Sequence, residues 1–235
     1  VKPWESLAQA VAPDGAALEL RRRDGEYLIV AGGYDLMSSA DDSSSKALAS
    51  LGLGATRVDP APRRVLVGGL GMGFTLRAAL DHVGPQAVVE VAELVPAVVR
   101  WNHAELGSLA GWPLRDARAR VVEGDVRTRI RAVTESYDAI LLDVDNGPDA
   151  LAHGQNDGLY GRRGVQEAWN ALTCGGVLAV WSFSDDRAFT ARLKRCGFEA
   201  ATHRVPASRS GRGRHHVIWV ARKAAQAAIA TRRRR

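Results

Sequence analysis

Val65-Leu66-Val67-Gly68-Gly69-Leu70-Gly71-Met72-Gly73 is the stretch around which the chain is organised. An apolar run enters a turn in which Gly68, Gly69, Gly71 and Gly73 are glycines, and a helical pattern, Phe74-Thr75-Leu76-Arg77-Ala78-Ala79-Leu80, follows. Each glycine costs extra backbone entropy to order. Such density belongs where the backbone turns sharply or where a ligand approaches closer than a Cβ allows. Strand, glycine turn and helix N-terminus together make a site for a nucleotide-like ligand. No Lys-Ser/Thr follows, which excludes a phosphate-cradling P-loop. The structural alternative is a tight turn and nothing more.

Outward from this turn, strand and helix patterns alternate. Strands are expected at 65–68, 87–91, 119–123, 137–143, 177–181, 199–205 and 215–221. Helices are expected near 72–82, 94–104, 125–134, 162–173 and 185–196. Strands separated by helices of this length predict a mostly parallel sheet covered on both faces. The last two strands have only Pro206–Arg214 between them, which predicts an antiparallel hairpin. The fold class is therefore α/β: a Rossmann-like, mostly parallel seven-stranded sheet with a C-terminal antiparallel hairpin. Before it lies a small β element, with strands at 17–22 and 26–30 around the hairpin signal Asp24-Gly25, and a short third strand at 34–37. A helical pattern at 46–51 follows the polar stretch Ser38–Ser45. The expected division is 1–60 for the β element and its helix, 61–222 for the Rossmann-like domain and 223–235 for a basic tail.

Composition sets outer bounds. With 46% apolar and 25% charged residues, the 235-residue chain reads as globular. No apolar run approaches the roughly 18 residues needed to span a bilayer, and Val1-Lys2-Pro3-Trp4-Glu5 lacks a signal-peptide layout. Cys174 and Cys196 read as reduced, buried thiols. A cytoplasmic protein without membrane contact is the expectation. Arg232–Arg235 supply four of the six net positive charges. A terminal block of like charge reads first as a solvated tail, so nucleic acid is not the expected partner.

In an open α/β sheet, ligands lie beyond the carboxyl ends of the strands. The second strand is read as ending Val88-Val89-Glu90, the third Glu123-Gly124-Asp125 and the fourth Ile140-Leu141-Leu142-Asp143. Glu90 stands seventeen residues past Gly73, near where an acid accepts ribose hydroxyls. Asp125 also reads as a helix N-cap.

With these pieces in order, the sequence resembles the spermidine synthase family, the aminopropyltransferase branch of the class I S-adenosylmethionine-dependent transferases. The carrying segments are Gly68–Gly73, Val89-Glu90-Val91, Glu123-Gly124-Asp125, Tyr137–Asp143, Leu159-Tyr160 and Gly175–Val180. The resemblance spans roughly residues 15 to 222. It implies S-adenosylmethionine or its decarboxylated form as cofactor and a small-molecule acceptor such as a polyamine; no metal is expected. By the same resemblance, Gly68, Gly69, Leu70, Gly71 and Gly73 pass close to the cofactor's methionine-derived chain and Glu90 accepts the ribose hydroxyls. Asp125 accepts the adenine amine with Val126 beside the ring. Asp143 lies beside the sulfonium and the nucleophile, and Tyr160 walls the acceptor pocket. Related enzymes are often dimers, which makes a homodimer an expectation too.

Two departures stand out. Leu70 occupies a position where the family carries an aspartate that grips the amine of the decarboxylated cofactor. After Asp143 the run is Val144-Asp145-Asn146, with Asn146 where the family carries a base. An amide cannot serve as a base, so Asp145, Asp149, His153 and Asp157 are the remaining candidates. The loop 146–161 reads as a substrate lid, and its acids suit a cationic acceptor. Asp145-Asn146 would need a second Asp-Asn pair to hold a metal, and Trp181–Asp186 supplies none. His215 and His216 point to opposite faces of a strand and read as pairing residues. Trp101, Trp112 and Trp169 read as packing residues. Aminopropyl transfer, methyl transfer and nucleoside binding without catalysis all remain open.

Overall fold

The structure is a computed structural model that describes residues 2–57, 62–144, 157–207 and 215–224. Strands β1 (Glu5–Val11), β2 (Ala17–Arg23), β3 (Glu26–Ala31) and β4 (Tyr34–Ser38) form an antiparallel four-stranded meander. Asp24 and Gly25 both take positive φ, 49° and 85°, as a tight two-residue hairpin requires. β1 was not expected. Its exposed, weakly alternating residues carry little strand signal, and its pairing with β2 supplies the order.

Helix α1 runs Ser43–Gly54, so Ser43, Ser44 and Ser45 of the polar stretch form its first turn. Then β5 (Arg64–Gly68), α2 (Phe74–His82), β6 (Val88–Glu93), α3 (Pro96–His103), β7 (Ala119–Glu123), α4 (Val126–Arg131) and β8 (Tyr137–Leu142) alternate. α5 (Asp157–Tyr160), α6 (Arg162–Ala171), β9 (Leu172–Ser182), α7 (Arg187–Arg195), β10 (Phe198–Pro206) and β11 (His215–Lys223) complete the chain. The sheet order is β10-β11-β9-β8-β5-β6-β7. β5 to β9 pair in parallel, and β11 inserts antiparallel between β9 and β10. The Rossmann-like sheet with its terminal hairpin is the fold that the alternation predicted.

Side-chain alternation splits the core into two. Val65, Val67, Leu141 and Ala179 pack with α1, α2 and α3, while Leu66, Ile140, Leu142 and Val180 pack with α4, α6 and α7. Leu18, Leu20 and Ile29 of the small sheet join the first cluster, so the β element shares a core with the larger sheet. Three positions read differently from the sequence. β6 continues past Glu90 to Glu93. β11 continues to Lys223, whose ammonium is buried on the Leu172 carbonyl at 2.7 Å. Cys174 is exposed rather than buried, and both thiols are free. The rest of the basic tail, 225–235, lies outside the described residues. Among the described residues no helix is long and apolar enough to cross a membrane.

Candidate functional site

The candidate site is the ridge formed by the carboxyl ends of β5, β6, β7 and β8. The glycine turn takes left-handed backbone at Gly69 (φ 86°), Gly71 (φ 50°) and Gly73 (φ 83°). Packing within the chain already requires Gly69, whereas at Gly71 an added side chain would displace the flexible end of Met37. A Cβ on Gly69 would stand 2.4 Å from the Asp143 carbonyl oxygen, and one on Gly71 would stand 2.6 Å from the Met37 Cε. β4 of the small sheet thus lays a thioether directly on the turn. Leu70 and Met72 are 3% and 1% exposed and belong to the α1-side core, so the turn itself carries no ionisable group.

Asp143 follows β8 and is tethered through its amide N–H to the Gly68 carbonyl at 2.9 Å. Alternation turns its side chain to the α1 side, where Thr75 Oγ1 of α2 donates to its Oδ2. Ser45 Oγ of α1 lies 3.4 Å from the same oxygen. These hydroxyls come from helices flanking the turn, so the carboxylate is oriented from two directions. Neither Ser45 nor Thr75 carried a sequence signal, since both pairings depend on tertiary packing.

β6 ends in Glu93, not Glu90. Glu93 Oε2 accepts the Leu70 amide N–H and Oε1 accepts the Val95 amide N–H, each at 2.9 Å. The carboxylate therefore stitches the strand end to the glycine turn. Pro96 at the first position of α3 was the available signal, because it fixes the helix start and lets the strand run on.

Glu90 points to the opposite, α4 side. Arg129 Nε donates to its Oε2 at 2.7 Å, Tyr137 Oη to the same oxygen at 2.8 Å, and Arg64 NH2 to Oε1 at 2.8 Å. Burial pushes the Glu90 carboxyl up, but these three donors outweigh it and bring its pKa down to about 2. Burial and the bond to Glu90 push the Tyr137 phenol up to about 12. Glu90 thus sits in a charged cluster below the ridge, and the structure does not bring it to the turn.

Asp125 N-caps α4 by accepting the Arg127 amide N–H at 2.8 Å, and it remains exposed at the end of β7. Val126 is buried beneath Gly68, whose added Cβ would meet its Cγ2 at 3.0 Å. Tyr160 is 1% exposed, edge-on to Phe189, with its hydroxyl 3.4 Å from the Val144 carbonyl. Its ring lies within the α6-side core. Asp145, Asn146, Asp149 and His153 lie outside the described residues, as does the side chain of Asp157. Among the described residues no three His, Cys, Asp or Glu side chains gather as a metal site.

The fold is a Rossmann-like α/β fold. No family model matches the chain. It is 32% identical over 130 residues to polyamine aminopropyltransferase 2 of Pseudomonas aeruginosa, covering 54% of this chain and 36% of that protein. It is 28% identical over 121 residues to a polyamine aminopropyltransferase of Korarchaeum cryptofilum, covering 52% and 36%. The matches thus span little more than a third of these relatives' own length. The spermidine synthase of Thermotoga maritima superposes with a TM-score of 0.72 at 18% identity, over 93% of this chain and 72% of that one. A probable spermidine synthase of Corynebacterium glutamicum gives 0.63 at 19%, over 94% and 81%. Over about half of its length the chain is thus similar to polyamine aminopropyltransferases, and its fold is that of the solved spermidine synthases.

Proposed function

We propose that the chain is an alkyl transferase of the spermidine synthase type, which binds S-adenosylmethionine or its decarboxylated form and alkylates a small amine. One observation carries the reading: a hydroxyl-oriented carboxylate, Asp143, stands beside a glycine turn whose other flank is fixed by a second carboxylate, Glu93. The donor set fits a sulfonium nucleoside. Ribose hydroxyls and the adenine amine are donors that need acceptors, and Glu93 and Asp125 offer them at adjacent strand ends. The ribose role first read onto Glu90 passes to Glu93.

When bound, such a cofactor supplies an electrophilic carbon on a cationic sulfur, which departs as a neutral thioether. Asp143 favours positive charge at this end of the sheet, and Thr75 and Ser45 hold its carboxylate in one orientation. Positioning of the nucleophile supplies most of the rate. No carboxylate stands on the turn to reward the amine of the decarboxylated cofactor, so methyl transfer is retained beside aminopropyl transfer. A homodimer, formed through the small sheet, belongs to the same proposal.

The test is release of the thioether nucleoside by the full chain given either cofactor and a set of amines, followed by mass spectrometry. Glu93→Gln is expected to weaken cofactor binding about tenfold or more by calorimetry, in line with loss of a charge-assisted hydrogen bond. Unchanged affinity in that variant, with a native thermal transition, removes Glu93 from the site.

A further inference from the structure

Beyond β8 the ridge continues onto β9 and β11, and nothing in the reading above uses it. β8 and β9 pair in parallel with Leu142 opposite Val180. Asp143 and Trp181 are the next residues along these two chains, just beyond the last pair. Alternation puts both on the α1 side, and Trp181 packs against the same core as Leu141 and Ala179. One strand further, His216 of β11 lies with its ring 4.8 Å from the Trp181 ring and 5.3 Å from that of Phe183. Phe183 is 46% exposed and forms the outer lip.

Two buried polar atoms in this cluster, Trp181 Nε1 and His216 Nδ1, have no hydrogen-bond partner among the described residues. Orphaned buried nitrogens are uncommon and each one calls for a partner. Burial pushes the His216 imidazole down, with the Asp41 carboxylate pulling the other way, so the neutral ring is favoured. A neutral imidazole nitrogen donates or accepts according to its tautomer. Indole Nε1 only donates.

We propose that Trp181 and His216 form the acceptor subsite beside Asp143, and that the acceptor is an amine that also carries a hydrogen-bond-accepting oxygen. This rests on the alkyl-transferase reading above. The Asp143 and Asp41 carboxylates and the aromatic faces favour an amine, through charge and cation–π attraction. The indole N–H sets the further requirement. A protonated diamine brings only donors to it and leaves it unsatisfied, whereas a hydroxyl or carboxylate oxygen satisfies it.

A matched pair of probes tests this, 4-aminobutan-1-ol and 1,4-diaminobutane, which differ by one terminal group. The reporter is the Trp181 indole N–H resonance of the full chain, assigned by its loss in Trp181→Phe. The amino alcohol is expected to shift it, and the diamine to shift it much less. In turnover, the amino alcohol is expected to have a kcat/KM about tenfold higher, the discrimination that an unsatisfied buried donor supplies. Trp181→Phe keeps the ring and is expected to erase the preference through KM, with cofactor affinity unchanged, and His216→Phe is expected to raise KM for both probes. An indole resonance indifferent to both probes overturns the proposal, and so does a preference that survives Trp181→Phe. Failure of either cofactor to bind is a different result and counts against the alkyl-transferase reading, because the indole shift is read without cofactor.

Discussion

Asp143→Asn is expected to lower kcat about 10²–10³-fold while cofactor affinity stays within a few-fold, the range found when one preorganised electrostatic group is removed. The substitution keeps the shape and the backbone tether to Gly68 and removes only the charge. In the alkyl-transfer proposal, positive charge passes from sulfur to the incoming amine, and a fixed carboxylate serves that redistribution without reorganising. Its orientation comes from Thr75 and Ser45, which act as positioning residues. Thr75→Val is therefore expected to cost less, about tenfold in kcat, the value of one hydrogen bond to a charged group. The same change in the Asp143→Asn background is expected to cost almost nothing further, because a residue that acts through another is not additive with it. Single-turnover kinetics at saturating cofactor give these values. Full additivity would show that Thr75 acts independently.

The second large effect is on stability. Glu90→Ala removes the common partner of Arg64, Arg129 and Tyr137. Breaking a buried ion pair from one side costs about 3–5 kcal/mol. The arginine side chains are 40% and 28% exposed and regain water once released, so about 2–4 kcal/mol is expected. For a chain of this size that is a Tm lower by roughly 5–12 °C. The pH dependence has a defined sign. The carboxyl falls from its ordinary 4.5 to about 2 in the folded state. Its stabilisation is complete above pH 4.5 and is lost as pH falls through the folded value near 2. Urea midpoints at several pH values should therefore fall more steeply for wild type than for Glu90→Gln between pH 4.5 and 2. Cofactor affinity of folded Glu90→Gln is expected to stay close to wild type, the reverse of Glu93→Gln.

The two glutamates show which parts of the site were legible in the sequence. Val65–Gly73 and the alternation after it contained the sheet, because parallel strands buried on both faces leave continuous apolar runs between amphipathic helices. Asp143 was legible because it closes such a run. Glu90 was misread as the end of its strand because an acid inside an apolar run looks like the end of the run. Its partners Arg64, Arg129 and Tyr137 are scattered along the chain and meet only on the α4 face. Ser45 meets Asp143 across ninety-eight residues, and no local pattern encodes that. His216 was read as a pairing residue, which it also is, and Trp181 only as the end of a strand. The unsatisfied nitrogens became visible only when β11 inserted between β9 and β10 and brought the two rings together.

The most direct test of the central claim, that these strand ends hold a sulfonium nucleoside, is calorimetric titration of the full chain with S-adenosylmethionine and with its decarboxylated form. The expected result is binding of the intact cofactor in the micromolar range, about 1–100 µM, at least as tight as the decarboxylated form, since the glycine turn carries no carboxylate to favour the latter. No binding of either compound by the folded chain would contradict the claim and leave the ridge as a fold without its ligand.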